Sequence, residues 1–515
     1  MASQGPAARD DAAVLDDAVA RDDAAALDDA AAHRDDRNGD AAARDDAALH
    51  HVDRISDAAA RVAAVVPGRA LAVLDHLHAA GHAAFIVGGS LRDALLGRTP
   101  ADWDMATDAR PDRLVALFPG AVYENRFGTV AVRREEDVFE ITTFRTEHEY
   151  ADFRRPHRVE FGDEIEADLA RRDFTVNAMA WGRPAGDATG PNQLVDPFGG
   201  LEDLATGRLR AVGDPDARLR EDALRMVRAV RLAATLGFEI EPATLAAISR
   251  NAALADHLSG ERVGAELAKL LAAPAPSVGL RLAQETGLLG VISEPLAAQR
   301  GIPQSKVAGE DLWDHTLRTV DATPADRPVI RLAALVHDIG KPATLSDGHF
   351  HHHDVVGARL ADELLRRLRY PRTAAAEVTH LVHHHMFTVD PQATDAAVRR
   401  FIQRIGRTDL DALFALRRAD DIGSGMEPGD PDLRAYRARI DAELAAEAAL
   451  DRYALAIDGK DLMHELELVP GPRLGRIIDG LVDAVIADPV LNERGSLLLL
   501  AQGMLADMGA DTGDT

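Results

Sequence analysis

The sequence predicts a mixed α/β head followed by a long, almost wholly helical body. Two patterns in the chain lead there. Between about residue 56 and residue 205, short apolar runs of strand length alternate with helical stretches and charged turns. From Ala217 onward apolar residues recur at helical spacing, broken by turn residues near Gly237, Pro274, Gly301 to Pro303 and Gly425 to Pro431. A chain of 515 residues is long enough for several domains. The expected division is an acidic disordered tail over 1–55, a head over 56–205 and a helical neck and body over 206–300. A histidine-rich helical domain over 301–440 and a C-terminal helical module over 441–515 follow.

Taken in order, residues 1–50 hold 13 Asp against 5 Arg, a net of −8, in a degenerate repeat with RDDAA at 9–13, 21–25 and 44–48. So few large apolar residues give this stretch nothing to bury, and it reads as disordered or loosely helical. Ala83 to Val87 is an apolar strand, Gly88-Gly89-Ser90 a turn, and Leu91 to Leu96 a helical run. Val130–Val132 and Val138–Thr143 flank a charged turn from Arg133 to Asp137 and read as a hairpin. Ile141 to Val159 is polar, with little periodicity, and reads as a mobile loop.

Composition excludes several classes. The chain has no cysteine, hence no disulfide framework, thiol nucleophile or thiolate metal site. No apolar run is long enough to span a bilayer and no signal pattern opens the chain, so a soluble cytoplasmic protein with no membrane partner is expected. A net charge of −27 argues against broad nucleic-acid binding, although arginines cluster at 154–155, 171–172 and 218–231.

The stretch FIVGGSLRDALLGRTPADWDMAT (Phe85 to Thr107) carries the sharpest chemical signal. A glycine turn from strand into helix lets backbone N–H groups approach a phosphate, so Gly88 and Gly89 are phosphate-cradle candidates. Asp102 and Asp104, two apart on an expected strand, share a face and suit a bound metal pair. Cradle plus paired carboxylates is equipment for metal-assisted phosphoryl or nucleotidyl transfer. In RRDFTVNAMA, Arg171 and Arg172 suit a triphosphate, Asn177 a phosphate or sugar, and Asp173 is placed to orient the arginines; taken alone the motif reads equally as a buried ion pair. In EDALRMVRAVR, Asp222, Arg225, Arg228 and Arg231 recur every third residue and form a polar helix stripe. That stripe reads either as a salt-bridged surface or as a base reader. Asp222 only accepts hydrogen bonds and Arg225 only donates, which matches the edge that cytosine and adenine share and rejects uracil and guanine.

Taken with TTFRTEHEYADFRRP and DPFGGLEDLATGRLRAVGDP, these stretches occur in the order seen in bacterial class II tRNA nucleotidyltransferases, which they resemble over roughly residues 70–300. These are the CCA-adding enzymes and their poly(A) polymerase relatives. The resemblance implies a polymerase-β-like head, an all-α neck and body, and addition or repair of the tRNA 3′-terminal CCA from CTP and ATP. It implies magnesium at Asp102 and Asp104, and nucleotide contacts from Gly89, Arg92, Arg171 and Arg172. Asp93 falls in the motif linked to ribose, Asp222 and Arg225 read the base, and Arg228 and Arg231 complete the nucleotide site. The segment Thr142 to Pro156 is expected to help switch between C and A addition. Glu140 is a candidate third carboxylate, with an ordinary strand-surface acid as the favoured reading. Leu232 departs from the family, standing where an aromatic is common.

Beyond Gly301, the set H…HD…H…D offers imidazole and carboxylate ligands to a divalent metal. LVHDIGKP resembles the HD-type metal-dependent phosphohydrolases, which implies His315, His337, Asp338 and Asp420 as ligands, with His353 chosen from a run of three histidines. The stretch Ala454 to Gly475 resembles the helical module that accompanies these enzymes. Three alternatives remain at this point: an A-adding enzyme or poly(A) polymerase, an HD phosphohydrolase with an RNA-binding head, and a noncatalytic RNA-binding protein.

Overall fold

The computed structural model describes residues 53–123, 128–148, 158–304, 306–448 and 455–510. The acidic repeat lies outside the described residues. The chain divides into two compact units, one running to His148 and resuming over Arg158–Thr206, the other taking up the chain from Gly207.

The first unit is built on a seven-stranded sheet. Its strands are β1 (Ala84–Val87), β2 (Met105–Thr107), β3 (Val122–Tyr123), β4 (Thr129–Arg134), β5 (Asp137–Thr143), β8 (Ala180–Arg183) and β9 (Gln193–Val195). The strand order is β3-β4-β5-β2-β1-β8-β9. The fully buried runs AFIV of β1 and AWGR of β8 sit side by side near the middle, where both faces are covered. The Gly68–Ala79 helix buries Ala70, Val73, Leu74 and Leu77, spaced three or four apart, and packs on β1. β4 and β5 form the expected hairpin, turning at Glu135 and Glu136, with Glu135 at φ 54.

The expected loop over 141–159 is in part strand. β6 (Arg145–His148) pairs antiparallel with β7 (Arg158–Phe161), the ladder running from Arg145↔Phe161 to His148↔Arg158. Cross-strand hydrogen bonds order a polar segment that apolar periodicity cannot reveal. The remainder of that expectation, 149–157, lies outside the described residues.

In the second unit the Leu224–Leu236 helix is central. It packs against the Gly260–Leu271 and Pro276–Glu285 helices, and ends where Gly237 adopts the left-handed conformation at φ 74. Beyond it, the Leu312–Asp321, Pro328–Val336, His353–Arg367, Arg372–His384 and Leu410–Gly423 helices pack on one another. The Gly459–Glu465, Pro472–Ala487 and Arg494–Ala510 helices share a core of Ile457, Leu462, Leu474, Ile477, Leu481, Val485, Leu497 and Ala501. Asp458 starts the first of these with a capping box. Among the described residues no helix is long and apolar enough to cross a membrane.

Candidate nucleotide and metal sites

The glycine turn is already helix. Gly88 opens the Gly88–Leu95 helix directly after β1, at φ 72, a conformation that suits glycine. A Cβ on Gly88 would lie 3.1 Å from Arg172 Nη1 and 3.7 Å from Asp104 Oδ2. The absent side chain therefore lets an arginine and a carboxylate converge on the helix N-terminus. Asp102 and Asp104 lie in the segment just before β2 rather than within it. Val87 N donates to Asp104 O at 3.0 Å, and Asp104 N donates to Ser90 Oγ at 3.3 Å, so the Ser90 hydroxyl ties the helix start to the aspartate segment. The parallel register Met105↔Ile141 brings Glu140 beside Asp104. Burial, then the charges of Asp102 and Glu140, push the Asp104 carboxyl up to about 6 against the pull of Arg172. Half-buried Asp104 thus feels the charge of two exposed carboxylates, with Arg172 offsetting them.

Arg171 and Arg172 are held by a residue outside the expected set. Arg171 Nε and Nη2 donate to Asp168 Oδ1 at 2.9 and 2.6 Å, and Arg172 Nη2 donates to Oδ2 at 3.1 Å. Burial alone would raise the Asp168 carboxyl; the two guanidiniums outweigh it and hold it below the ordinary range. Asp168 lies on the short Ile165–Ala170 helix and the arginines directly after its end, and the spacings i,i+3 and i,i+4 are the signal that reveals it. Asn177 is buried and engaged within the protein. Its Oδ1 accepts from Arg92 Nη1 at 2.7 Å, and its Nδ2 donates to Asp173 Oδ1 at 3.0 Å. Arg92 also donates from Nε to Asp93 at 2.9 Å. Asn177 therefore sets the position of Arg92, and Asp93 shares that role.

In the second unit, the stripe from Asp222 to Arg231 is not one continuous helix. The Pro215–Glu221 helix ends at Asp222, which is extended at φ −145, and the next begins at Leu224. Asp222 Oδ1 accepts from Leu224 N at 3.1 Å, a local side-chain bond that competes with helix and breaks it there. Oδ2 is held by Arg262 Nη2 at 2.6 Å. Glu221 binds Arg218 at 2.7 Å and Arg225 at 2.5 Å. Glu266, 4% exposed, accepts from Arg231 Nε at 2.5 Å and lies 3.9 Å from Arg228. Arg225 itself is only 8% exposed, so this is not the solvated helix face that the charge pattern alone allows. Arg262 and Glu266 come from the Gly260–Leu271 helix, far along the chain, and no local pattern announces them.

The histidine cluster is the tightest group of ligands. His315, His337 and Asp420 form one set whose ligand atoms all lie within 4.8 Å of one another; Asp338, His353 and His385 form another. Asp338 faces both. Its Oδ2 lies 3.1 Å from His337 Nε2 and 3.4 Å from His315 Nε2, while Oδ1 lies 3.5 Å from His353 Nε2 and 3.6 Å from His385 Nε2. Of the three consecutive histidines His353 alone is buried, and it faces Asp338. His385 is absent from the expected ligands. Its signal is its place on the inward stripe Val378, Leu381, Val382, one turn from Leu381.

The tautomers follow from the backbone. Nδ1 of His337, His353 and His385 each faces a carbonyl oxygen, of Ala334, Phe350 and Val382, at 2.7–2.8 Å. A carbonyl only accepts, so Nδ1 carries the hydrogen and Nε2 of the neutral ring points a lone pair inward. Burial lowers His337 and His353, keeping them neutral. His353 Nε2 and His385 Nε2 then face each other at 3.3 Å beside Asp338 Oδ1, a buried oxygen with no donor. Acceptors crowded this way call for a cation between them. Ligands about 2.1 Å from one ion lie about 3.0–3.4 Å apart in octahedral or tetrahedral arrangement, close to the spacings here. Burial would lower His315 too, but Asp338 and Asp420 outweigh it and raise it.

These two centres define a nucleotidyltransferase head followed along the chain by a helical HD region. Residues 84–210 match the family described as the Poly A polymerase head domain. Residues 237–299 match the probable RNA and SrmB-binding site of polymerase A, and 306–435 match the HD domain. The chain is 33% identical over 437 residues to a CCA-adding enzyme of Geobacillus kaustophilus, covering 83% of this chain and 94% of that one. It is 47% identical over 221 residues to a CCA-adding enzyme of Geobacillus thermodenitrificans, there covering 43% of this chain and 53% of the relative. Its fold matches the crystal structure of the Bacillus stearothermophilus CCA-adding enzyme in complex with CTP, with TM-score 0.64 and 30% identity, over 86% of this chain and 98% of that one. The chain belongs to the bacterial CCA-adding enzymes, the nucleotidyltransferases that add CCA to tRNA.

Proposed function

We propose that the chain builds or repairs the tRNA 3′-terminal CCA from CTP and ATP in the cytoplasm, with the residues above in distinct roles. The observation that carries this is the place of Asp104 beside Arg172 at the Gly88 helix start, with Asp102 and Glu140 adding negative charge to it. Carboxylates so placed need a cation, and the donor set is the oxygen-only type that suits Mg2+. Bound there, divalent ions supply Lewis acidity for attack of the RNA 3′-hydroxyl on the nucleotide α-phosphate, with pyrophosphate leaving. Gly88 and Gly89 leave room for phosphate at the helix N-terminus, and Arg171 and Arg172, braced by Asp168, supply positive charge for the triphosphate. Arg92 is aimed by Asn177 and Asp93. Asp222 and Arg225 read the base, one acceptor and one donor, with Arg228 and Arg231 completing the nucleotide contacts. Residues Thr142 to Pro156 help switch between C and A.

The test offers tRNAs lacking CCA, lacking CA, and lacking only the terminal A, each with one nucleoside triphosphate. Incorporation of C, C and then A is expected. Incorporation of A alone, whatever the acceptor end, would assign the chain to the A-adding enzymes.

A second activity is favoured by the paired histidine sets. We propose that the HD region holds two divalent ions, His315, His337 and Asp420 on one, His353 and His385 on the other, with Asp338 between. Such a pair supplies charge stabilisation for phosphoester hydrolysis. Metal analysis is expected to give two ions per chain at this centre in wild type and one in His385→Ala. A 2′,3′-cyclic phosphate is expected to be hydrolysed by wild type and not by His337→Ala. Equal hydrolysis by both would end the proposal.

A further inference from the structure

Four arginines and no acid occupy residues 366–372 (RRLRYPR) of a chain whose net charge is −27. They sit where the His353–Arg367 helix turns into the Arg372–His384 helix, within the HD region and outside the stretch matched as RNA-binding. Arg366, Arg369, Tyr370 and Arg372 line a surface pocket of about 580 Å3 together with Asp362. Asp362 is engaged by Arg366 at 3.0 Å. Arg369 and Arg372 are both exposed, and among the described residues neither has a carboxylate partner.

The backbone makes Arg369 informative. Tyr370 N donates to Leu365 O at 3.0 Å and Arg369 N to Arg366 O at 3.1 Å, a helix-ending motif whose turning residue is left-handed. Arg369 is that residue, at φ 60. Glycine is the usual occupant, and a side chain there costs about 1 kcal/mol. Stability alone would not favour arginine at this position. Tyr370 forms a firm wall: half-buried, its hydroxyl is pushed up to about 12 by burial, and it donates to Gly264 O at 3.4 Å.

We propose that this pocket grips a phosphate of the RNA sugar–phosphate backbone, with Arg369 and Arg372 as donors, so that the HD region contributes to holding tRNA. The inference rests on tRNA being the substrate. Guanidinium forks match phosphate oxygens, and a contact of this kind adds affinity without reading sequence.

The test uses full-length Arg369→Gly and Arg369→Gly/Arg372→Ser, binding a tRNA lacking CCA by fluorescence anisotropy over a range of KCl, without nucleotide. Because glycine suits the left-handed position, the single variant should melt at or above the wild-type temperature. Removing one arginine–phosphate pairing should lower the slope of log K against log [KCl] by about 0.7–0.9, roughly a sixfold weakening at 0.1 M salt. Unchanged affinity and slope in the double variant would overturn the proposal, as would weaker binding at unchanged slope. Inorganic phosphate is the other source of the same chemistry. If it raised the melting temperature of wild type but not of the double variant, while the RNA slopes agreed, the pocket would be a free-anion site and the RNA assignment would fall. Incorporation of C, C and A at saturating tRNA should be unchanged in both variants. Its failure in wild type would count against the nucleotidyltransfer reading and leave the binding comparison to decide this one.

Discussion

Replacing Asp104 by Asn removes the negative charge nearest the Gly88 helix start, one that Asp102 and Glu140 repel. The Asp104 carboxyl stands at about 6 rather than the ordinary 3.8, chiefly through burial and then through Asp102 and Glu140. A raised acid takes up its proton more readily in the folded state, so between pH 4 and 6 native stability falls as pH rises. Above about 6 the full penalty is present. Raising a carboxyl from 3.8 to about 6 costs the ionised form at most about 3 kcal/mol, and roughly 1–2 kcal/mol once water around a part-exposed carboxylate is allowed for. Asp104→Asn should therefore stabilise the metal-free protein at pH 7.5 by that amount, with the gain vanishing toward pH 4. Saturating Mg2+ should narrow the difference by stabilising wild type. The same substitution should lower nucleotide incorporation about a thousandfold or more, on the order of 4 kcal/mol of transition-state stabilisation. Denaturant unfolding of both proteins at pH 7.5 and 4.5, with and without Mg2+, measures the first effect. A variant less stable than wild type at pH 7.5 without metal, or one still adding nucleotides at the normal rate, would refute the reasoning.

The other expectations follow from the braces around the nucleotide groups. Asp222→Ala should leave incorporation measurable but admit UTP and GTP, read by competing each against CTP and ATP. Glu266→Ala removes the buried carboxylate that accepts from Arg231 Nε and should destabilise the second unit by about 2 kcal/mol in denaturant unfolding. Asp168→Asn should raise KM for nucleotide more than it lowers kcat, because Arg171 and Arg172 stay present but lose the negative charge that braces them; steady-state kinetics with CTP separates the two.

Much of the candidate site was legible in the chain because its chemistry is local. A glycine pair after an apolar strand, two aspartates two residues apart, and an arginine pair each lie within one short segment, so residue type and spacing suffice. The HD dipeptide and its flanking apolar helix are local in the same way. The hairpin of β4 and β5 declared itself through alternation around a charged turn. β6 and β7 did not, because their residues are polar and their order comes from pairing with each other.

What the sequence by itself determined was the coarse order of elements and most of the candidate reacting and ligating groups, His385 excepted, since these depend on near neighbours and on periodicity. The tertiary structure alone decided which partners aim them. Arg262 reaches Asp222 across 40 residues, and Glu266 reaches Arg231 across 35. His385 meets His353 from the neighbouring helix. Helix packing brings such pairs together through apolar burial elsewhere on the same helices, and burial is indifferent to how far apart the residues lie along the chain.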